Sequence, residues 1–335
     1  MQSNRISAII PLYNGAAYIK EALRSVLDQE RPADEIIVVD DGSTDNEAGA
    51  DIVREMAKSF PITLLTKQNG GQGSSRNYGI AHSSGNLIAL LDQDDAWYPH
   101  HLRELERPFL DYNSRTLGWA YSNLDEMRAD GIMLNHSVLD LIPNLEHPKK
   151  SLLRCISNDL FILPGASIIS REAFESVGGF DEQFVGYEDD DLFLRLFMAG
   201  YRNVYIDEPL TKWRMHAAST SFTEKMAASR ARYFSKLIKT FPDEVETMRF
   251  YTRDYIAPRF VKTALKGLAL AVARNDRART KQSYQEILLY SQVLGTSKRW
   301  RIRLVAFLLT FRPVQMLYRA TPKVMINKAM PFLRT

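Results

Sequence analysis

Leu87-Ile88-Ala89-Leu90-Leu91-Asp92-Gln93-Asp94-Asp95 is a run of apolar residues that breaks into three carboxylates. An apolar run with no polar alternation fits a strand covered on both faces, as in a parallel α/β sheet. Ligands of such sheets bind beyond the carboxyl ends of the strands. Three negative charges so close repel one another, so a cluster placed there suggests a cation and, beyond it, a polyanionic ligand. Taken alone, Asp94 and Asp95 could instead favour the start of the helix expected over residues 99–110.

Two earlier segments share the design. Residues 6–10 are apolar and give way to Pro11-Leu12-Tyr13-Asn14-Gly15, and Ile36-Ile37-Val38-Val39 ends in Asp40-Asp41-Gly42-Ser43-Thr44-Asp45. Helical patterns fill the gaps: residues 17–27, with Ile19, Leu23, Val26 and Leu27 on one face and Asn14 as the expected cap, and residues 51–60. A further strand is expected over 62–65. Alternating strands and helices imply right-handed crossovers and a parallel sheet, which sets the three polar strand ends along one edge. The intervening Asn69-Gly70-Gly71-Gln72-Gly73-Ser74-Ser75-Arg76-Asn77-Tyr78-Gly79 lacks the Lys-Ser/Thr of a P-loop and the spacing of a dinucleotide fingerprint. Its glycines allow close approach to a ligand, and Arg76 is a candidate for holding a phosphate.

Farther on, Gly186-Tyr187-Glu188-Asp189-Asp190-Asp191-Leu192 leads into an amphipathic helix expected over 191–199. Carboxylates stabilise helix N-termini, so capping accounts for most of the four on composition alone. Arg214-Met215-His216 follows.

Pro11-Leu12-Tyr13-Asn14, Val39 to Asp45, Ser75-Arg76-Asn77-Tyr78-Gly79, Asp92-Gln93-Asp94-Asp95 and Glu188-Asp189-Asp190-Asp191-Leu192 together resemble the inverting glycosyltransferases of family 2. The resemblance implies the α/β nucleotide-sugar fold called GT-A, a Rossmann-like, mostly parallel sheet flanked by helices. It implies that the first two strand ends (Pro11, Tyr13, Asn14, Asp40, Asp41) hold the nucleoside, with Asp41 on the base. Asp92, Asp94 and Asp95 then cover the metal and ribose motif, with Asp94 favoured as a ligand of Mn2+ or Mg2+. Asp189 becomes the general base, with Glu188 touching acceptor or donor. Arg214 and His216 match the family's Arg-x-His segment, His216 as metal ligand or diphosphate contact and Arg214 as its companion.

The implied reaction moves one hexosyl unit from a nucleotide sugar, most often a UDP-sugar, to a hydroxyl of a glycan or lipid-linked glycan. Its setting would be polysaccharide biosynthesis at a bacterial cell envelope. Membrane-embedded synthases resembling this family carry Gln-x-x-Arg-Trp. Here Arg299-Trp300 has Thr296 in the Gln position, so single-sugar transfer is expected. A sugar-nucleotide nucleotidyltransferase would carry a Gly-rich loop with Arg and Lys directly after the first strand, which Pro11-Leu12-Tyr13-Asn14 does not supply. A non-catalytic nucleotide-sugar-binding module is the other alternative, weighed down by the presence of Asp189, Asp94 and His216.

The expected organisation is a catalytic domain over 1–222, with its nucleotide-sugar half to about 115 and its acceptor half from about 116, then a helical region over 223–335. The net charge of +3 conceals an asymmetry: 17 Lys and Arg against 3 Asp and Glu from residue 250 onward, and 26 against 37 before it. Helices are expected over 225–240, 245–256, 259–273, 277–294, 298–309 and 314–329. The last two combine Trp300, Leu304, Phe307, Leu308, Leu317 and Met325 with Lys298, Arg299, Arg301, Arg303, Arg312, Arg319, Lys323 and Lys328. That mixture suits an interfacial helix on an anionic membrane surface. Nucleic acid is the rival polyanion, but no recognised nucleic-acid module accompanies the charge. Cys155 is the only cysteine, which favours a reducing compartment. The apolar run near the N-terminus is too short for a signal peptide core. The expected location is therefore cytoplasmic, peripheral on the cytoplasmic face of the membrane. Trp119, Tyr121, His136 and His147 are expected to serve core packing and surface rather than chemistry.

Overall fold

β1 (Ile6–Leu12) is buried at every residue, and the sheet extends from it on both sides. The computed structural model describes residues 4–110, 116–216 and 224–321. After β1 come α1 (Ile19–Leu27), β2 (Glu35–Asp40), α2 (Ala48–Ala57), β3 (Ile62–Thr66), α3 (Gln72–Ala81) and β4 (Leu87–Leu90). Next are β5 (Ala96–Trp97), α4 (His101–Glu106), β6 (Leu117–Arg128), β7 (Met133–Asn135) and α5 (Leu152–Ser157). β8 (Ser167–Ser170), α6 (Arg171–Ser176), α7 (Glu188–Met198) and β9 (Arg202–Met215) follow.

Among the described residues, nine strands form one sheet in the order β3-β2-β1-β4-β8-β6-β9-β5, with β7 paired to β6. β3, β2, β1 and β4 are mutually parallel; β8, β5 and β7 run against the strands they pair with. The expected α/β architecture, with a mostly parallel sheet, is present.

Alternate residues of β1 meet different layers. Ile6, Ala8, Ile10 and Leu12 pack with Ile19, Ala22, Leu23 and Val26 of α1. On the other face α3 approaches so closely that a Cβ on Gly79 would lie 2.5 Å from Ile9 Cγ2 and 2.9 Å from Val39 Cγ2. Gly79→Ala is therefore expected to destabilise the fold by about 1–3 kcal/mol through overpacking, despite a helix-propensity gain of up to ~1 kcal/mol. Thermal unfolding measures this, and an unchanged Tm would contradict the packing.

The chain leaves β1 for β2 and β3 on one side, then returns to β4 on the other. β4 pairs with β1 only as far as Ile9↔Leu90, while β1 stays with β2 to Leu12↔Asp40. A crevice therefore opens beyond the carboxyl ends at this switch point, where such sheets place their ligands.

The chain divides into two compact units, Met1–Leu152 with Asp159–Ser229, and Leu153–Asn158 with Arg230–Thr335. α8 (Glu224–Thr240), α9 (Ala257–Ala273), α10 (Arg277–Tyr290), α11 (Thr296–Leu308) and α12 (Arg312–Ala320) complete the described elements. In the second unit the rings of Phe234, Phe260 and Tyr290 meet at centroid distances of 4.9–5.4 Å, and Arg230 pairs with Glu286 at 2.9 Å.

Some boundaries differ from the sequence expectation for local reasons. Asn14 does not cap α1, whose N-cap is Tyr18 with no side-chain bond; its amide is spent elsewhere, as described below. Residues 245–256 are not one helix. Met248 holds φ at +55°, Glu244 and Arg249 bridge, and only Thr252–Ile256 coils, as a π-turn. Asp243 Oδ1 accepts the amides of Thr252 and Arg253 at 2.7 and 3.2 Å, fixing that late start. The helix expected over 314–329 is described only to Ala320, and Lys323, Met325 and Lys328 lie outside the described residues. Trp119 and Tyr121 are fully buried core residues. His136 bonds Asp125 at 2.9 Å, and His147 accepts or donates at 2.8 Å to Tyr121 Oη while stacking on Tyr205.

Candidate active site

Hydrogen bonds lash the three polar strand ends together. The Tyr13 amide donates to Gln93 Oε1 (2.8 Å), and Gln93 Nε2 donates to the Tyr13 carbonyl (3.0 Å). Asn14, at φ +50°, donates its amide to Ser43 Oγ (3.0 Å), and its Oδ1 accepts the Thr44 amide (2.7 Å). Asp40 Oδ1 accepts the Ser43 amide at 3.0 Å. Asp41 is buried and organises the glycine-rich loop: it accepts Lys67 Nζ at 2.8 Å and the amides of Gly70 and Gly71 at 3.0 and 2.8 Å. Gly71 sits at φ +88°, a conformation that suits glycine. Pro11 is buried, whereas Tyr13 is 43% exposed at the rim.

A cavity of about 340 Å³ opens beyond the end of β4, and Pro11, Tyr13, Asn14, Asp40 and Asp41 are not among its lining residues. Gln72, Arg76, Asp92, Asp94, Asp95 and Asp189 are among the residues that line it. Arg76 lines it while already engaged with two carboxylates. It is almost wholly buried, donating from Nη2 to Asp92 Oδ1 (2.6 Å) and from Nη1 to Glu188 Oε1 (3.3 Å). Asp92 Oδ1 also accepts Gln72 Nε2 at 2.6 Å. Arg76 thus ties the β4 end to the start of α7.

α7 begins at Glu188 rather than Asp191, so all four acidic residues fall in its first turn. Three have fixed tasks. Glu188 accepts the amide of Gly186 (2.7 Å) besides Arg76, Asp190 accepts the Leu160 amide (2.7 Å), and Asp191 accepts Arg195 Nε (2.7 Å). Asp189 accepts only the adjacent Asp190 amide, at 2.8 Å, among the described residues. Burial, then the charges of Glu188 and Asp190, push its carboxyl well above the ordinary aspartate value.

Asp94 Oδ2 meets His216 Nε2 at 2.7 Å, and His216 stacks on Tyr18. Burial and the charge of Asp92 raise Asp94; burial and the charges of Asp94 and Asp92 raise Asp95 well above the ordinary range. Asp95 Oδ1 accepts the Arg214 amide at 2.8 Å. The guanidinium of Arg214 is turned inward: Nε donates to the Asp94 carbonyl (2.7 Å), Nη1 to the Ala129 carbonyl (3.1 Å) and Nη2 to Glu21 Oε2 (2.6 Å). It latches β9 to α1 and to the turn after β6, and Arg214 also lines the cavity. Among the described residues, no three His, Cys, Asp or Glu side chains converge as a metal site. Asp94 and His216 are the expected ligands that touch, while Asp92 and Asp95 are held by other partners.

Residues 7–178, about half of the chain, match the family model for Glycosyl transferase family 2. The chain belongs to that family. Residues 157–219 also match the model described as N-terminal domain of galactosyltransferase. An uncharacterized glycosyltransferase from Rickettsia typhi is 31% identical over 296 residues, covering 81% of this chain and 85% of the relative. The S. aureus TarS fragment 1-349, solved in complex with UDP-GlcNAc, superposes with a TM-score of 0.63 at 18% identity, over 94% of this chain and 92% of that one. A mannosyltransferase from Pyrobaculum calidifontis, solved with GDP-Man and Mn2+, gives 0.58 at 18% identity over 99% and 88%. At these identities the solved structures speak to the GT-A fold.

Some residues of this glycosyltransferase's cleft carried no readable signal. Gln93 and Lys67 fasten the strand ends through partners far away in sequence, and no motif marks such a pairing. Phe161, at φ +51°, and Trp213 line the cavity; Trp213 directly precedes Arg214-x-His216 and could have been included with it.

Proposed function

We propose that this glycosyltransferase transfers a single hexosyl unit, with inversion, from a UDP-sugar to a hydroxyl of a glycan or lipid-linked glycan, and that Asp189 is its general base. The observation that carries the proposal is the division of labour at the start of α7. Glu188, Asp190 and Asp191 are each tied to a neighbour, whereas among the described residues Asp189 bonds only the next amide, and it lines the same cavity as Asp94. A raised proton affinity makes Asp189 a stronger base once ionised. The acceptor O–H gives its proton to Asp189 as its oxygen bonds the anomeric carbon. The bond from that carbon to the diphosphate oxygen breaks on the opposite face, and the nucleoside diphosphate leaves.

Asp94 and His216 are the proposed protein ligands of a divalent cation, Mn2+ or Mg2+. The carboxylate suits either ion and the imidazole favours Mn2+ over the harder Mg2+, with the remaining positions going to water and substrate phosphates. A cation there would neutralise charge developing on the departing diphosphate. Asp92, Arg76 and Glu188 act by positioning: one buried arginine connects the donor side to the base-bearing helix. Pro11, Tyr13, Asn14, Asp40 and Asp41 are proposed to form the nucleoside side, Asp41 by holding the glycine-rich loop in shape. Uridine is chosen because family 2 donors are most often UDP-sugars; the neighbours were solved with both UDP-GlcNAc and GDP-Man.

The test is a panel of nucleotide sugars scored for nucleoside diphosphate release with and without Mn2+. Release from a UDP-sugar that stops on chelation is expected. A bound donor should also raise stability by about 2.7 kcal/mol at a hundred times its Kd. Neither release nor a thermal shift with any donor would overturn the proposal.

A further inference from the structure

Four apolar side chains of α11, Trp300, Leu304, Phe307 and Leu308, follow the spacing of a single helical face. All are exposed, Trp300 by 67% and Leu304 by 58%, and Phe311 beyond the helix end is exposed too. Phe307 and Phe311 pack edge to face at 4.8 Å, so the stripe is continuous into the turn before α12. Cations flank it on both sides. Arg299 and Arg303 bond back to the Gln292 and Leu288 carbonyls at 3.1 and 2.9 Å, pinning the helix to the end of α10 and the turn after it. Lys298 and Arg301 stay exposed on the other flank. With Lys262 they line a groove of about 800 Å³ between α9 and α11 that also holds Val261, Leu265 and Ile302.

We propose that α11 docks this protein on an anionic lipid bilayer, with the Trp300–Leu304–Phe307–Leu308 stripe in the interface and Lys298, Arg301 and Lys262 on lipid phosphates. Charge selects this occupant. Residues 296–321 carry six Lys and Arg and no Asp or Glu, so a second copy meeting this face would set like charges against each other. A nucleic acid would satisfy the cations but leave the apolar stripe in water. An anionic bilayer satisfies both, as an amphipathic helix with cationic flanks requires. No helix among the described residues is long and apolar enough to cross a membrane, so attachment of this kind is to the surface.

The experiment sediments the full chain with vesicles of phosphatidylcholine alone or mixed with phosphatidylglycerol. Binding only to the mixed vesicles is expected, weakened by added salt. At a factor of ~5 per cation, Lys298→Gln with Arg301→Gln should reduce partitioning roughly 30-fold. Leu304→Glu with Phe307→Glu should abolish it, with circular dichroism and donor release unchanged. Should either variant fail to fold, brominated phosphatidylglycerol should quench the fluorescence of the unaltered protein, and Trp300→Phe should remove that quenching. Equal binding to both vesicle types, or to neither, would overturn the proposal. So would a dimer that Leu304→Glu with Phe307→Glu converts to monomer, or capture of an RNA or DNA oligomer that the same pair of substitutions abolishes.

Discussion

Asp189→Asn is expected to slow sugar transfer by roughly 10²–10⁴-fold, the usual worth of a positioned general base. The substitution is nearly isosteric and keeps an oxygen to accept the Asp190 amide, so α7 should start unchanged. It removes the charge and the proton acceptor. Because the loss is confined to the transition state, kcat and kcat/KM should fall together while donor affinity stays within about twofold. The neighbouring carboxylates provide the contrast. Asp190→Asn weakens the bond to the Leu160 amide, and Asp191→Asn the pair with Arg195. Those changes should appear in thermal stability more than in rate. A transfer rate unchanged in Asp189→Asn would remove the base assignment whatever the other variants do.

Asp94→Ala is expected to weaken Mn2+ binding in the presence of nucleoside diphosphate by about 100-fold or more, since even partners of metal ligands commonly contribute 10–100-fold. Titration calorimetry measures this without turnover. Asp94 Oδ2 and His216 Nε2 lie 2.7 Å apart, so in the absence of a cation they satisfy one another. His216→Ala should therefore weaken binding too, and the double variant should lose less than the sum of the two single losses, as expected for groups that act as a unit. Mn2+ affinity should fall as pH is lowered, because burial and the charge of Asp92 raise the proton affinity of Asp94 and a metal ligand must be deprotonated. Affinity unaltered by Asp94→Ala would sink the metal assignment.

The strand ends were legible because the signal is local: an apolar run covered on both faces, broken abruptly by polar residues, needs only a few adjacent positions to show itself. The same holds for the acidic start of α7. Partnership was not legible. Arg76 and Arg214 stand in motifs that suggest open anion contacts, yet Arg76 pairs with Asp92 and Glu188 and Arg214 with Glu21, up to 193 residues away in sequence. Sequence spacing cannot distinguish an arginine aimed at a ligand from one paired with the protein's own carboxylates. Asn14 has the composition of a cap, but the turn after β2 passes near enough to claim its amide. Within Glu188–Asp191 composition alone offers four equivalent carboxylates; the family resemblance points to Asp189, and the structure adds that the other three accept a loop amide or an arginine.

The pH dependence of kcat/KM at saturating Mn2+ tests the central assignment most directly, because the cation's own acid sensitivity is then suppressed. Burial and the charges of Glu188 and Asp190 hold Asp189 protonated to higher pH than an ordinary aspartate, and only its ionised form accepts a proton. Activity should therefore fall with decreasing pH along a limb lying above the usual aspartate range near 4. Asp189→Asn should abolish that limb, leaving a low rate that is flat across the same interval. A limb that persists unchanged in Asp189→Asn would contradict the account, because the titrating group would then have to be another.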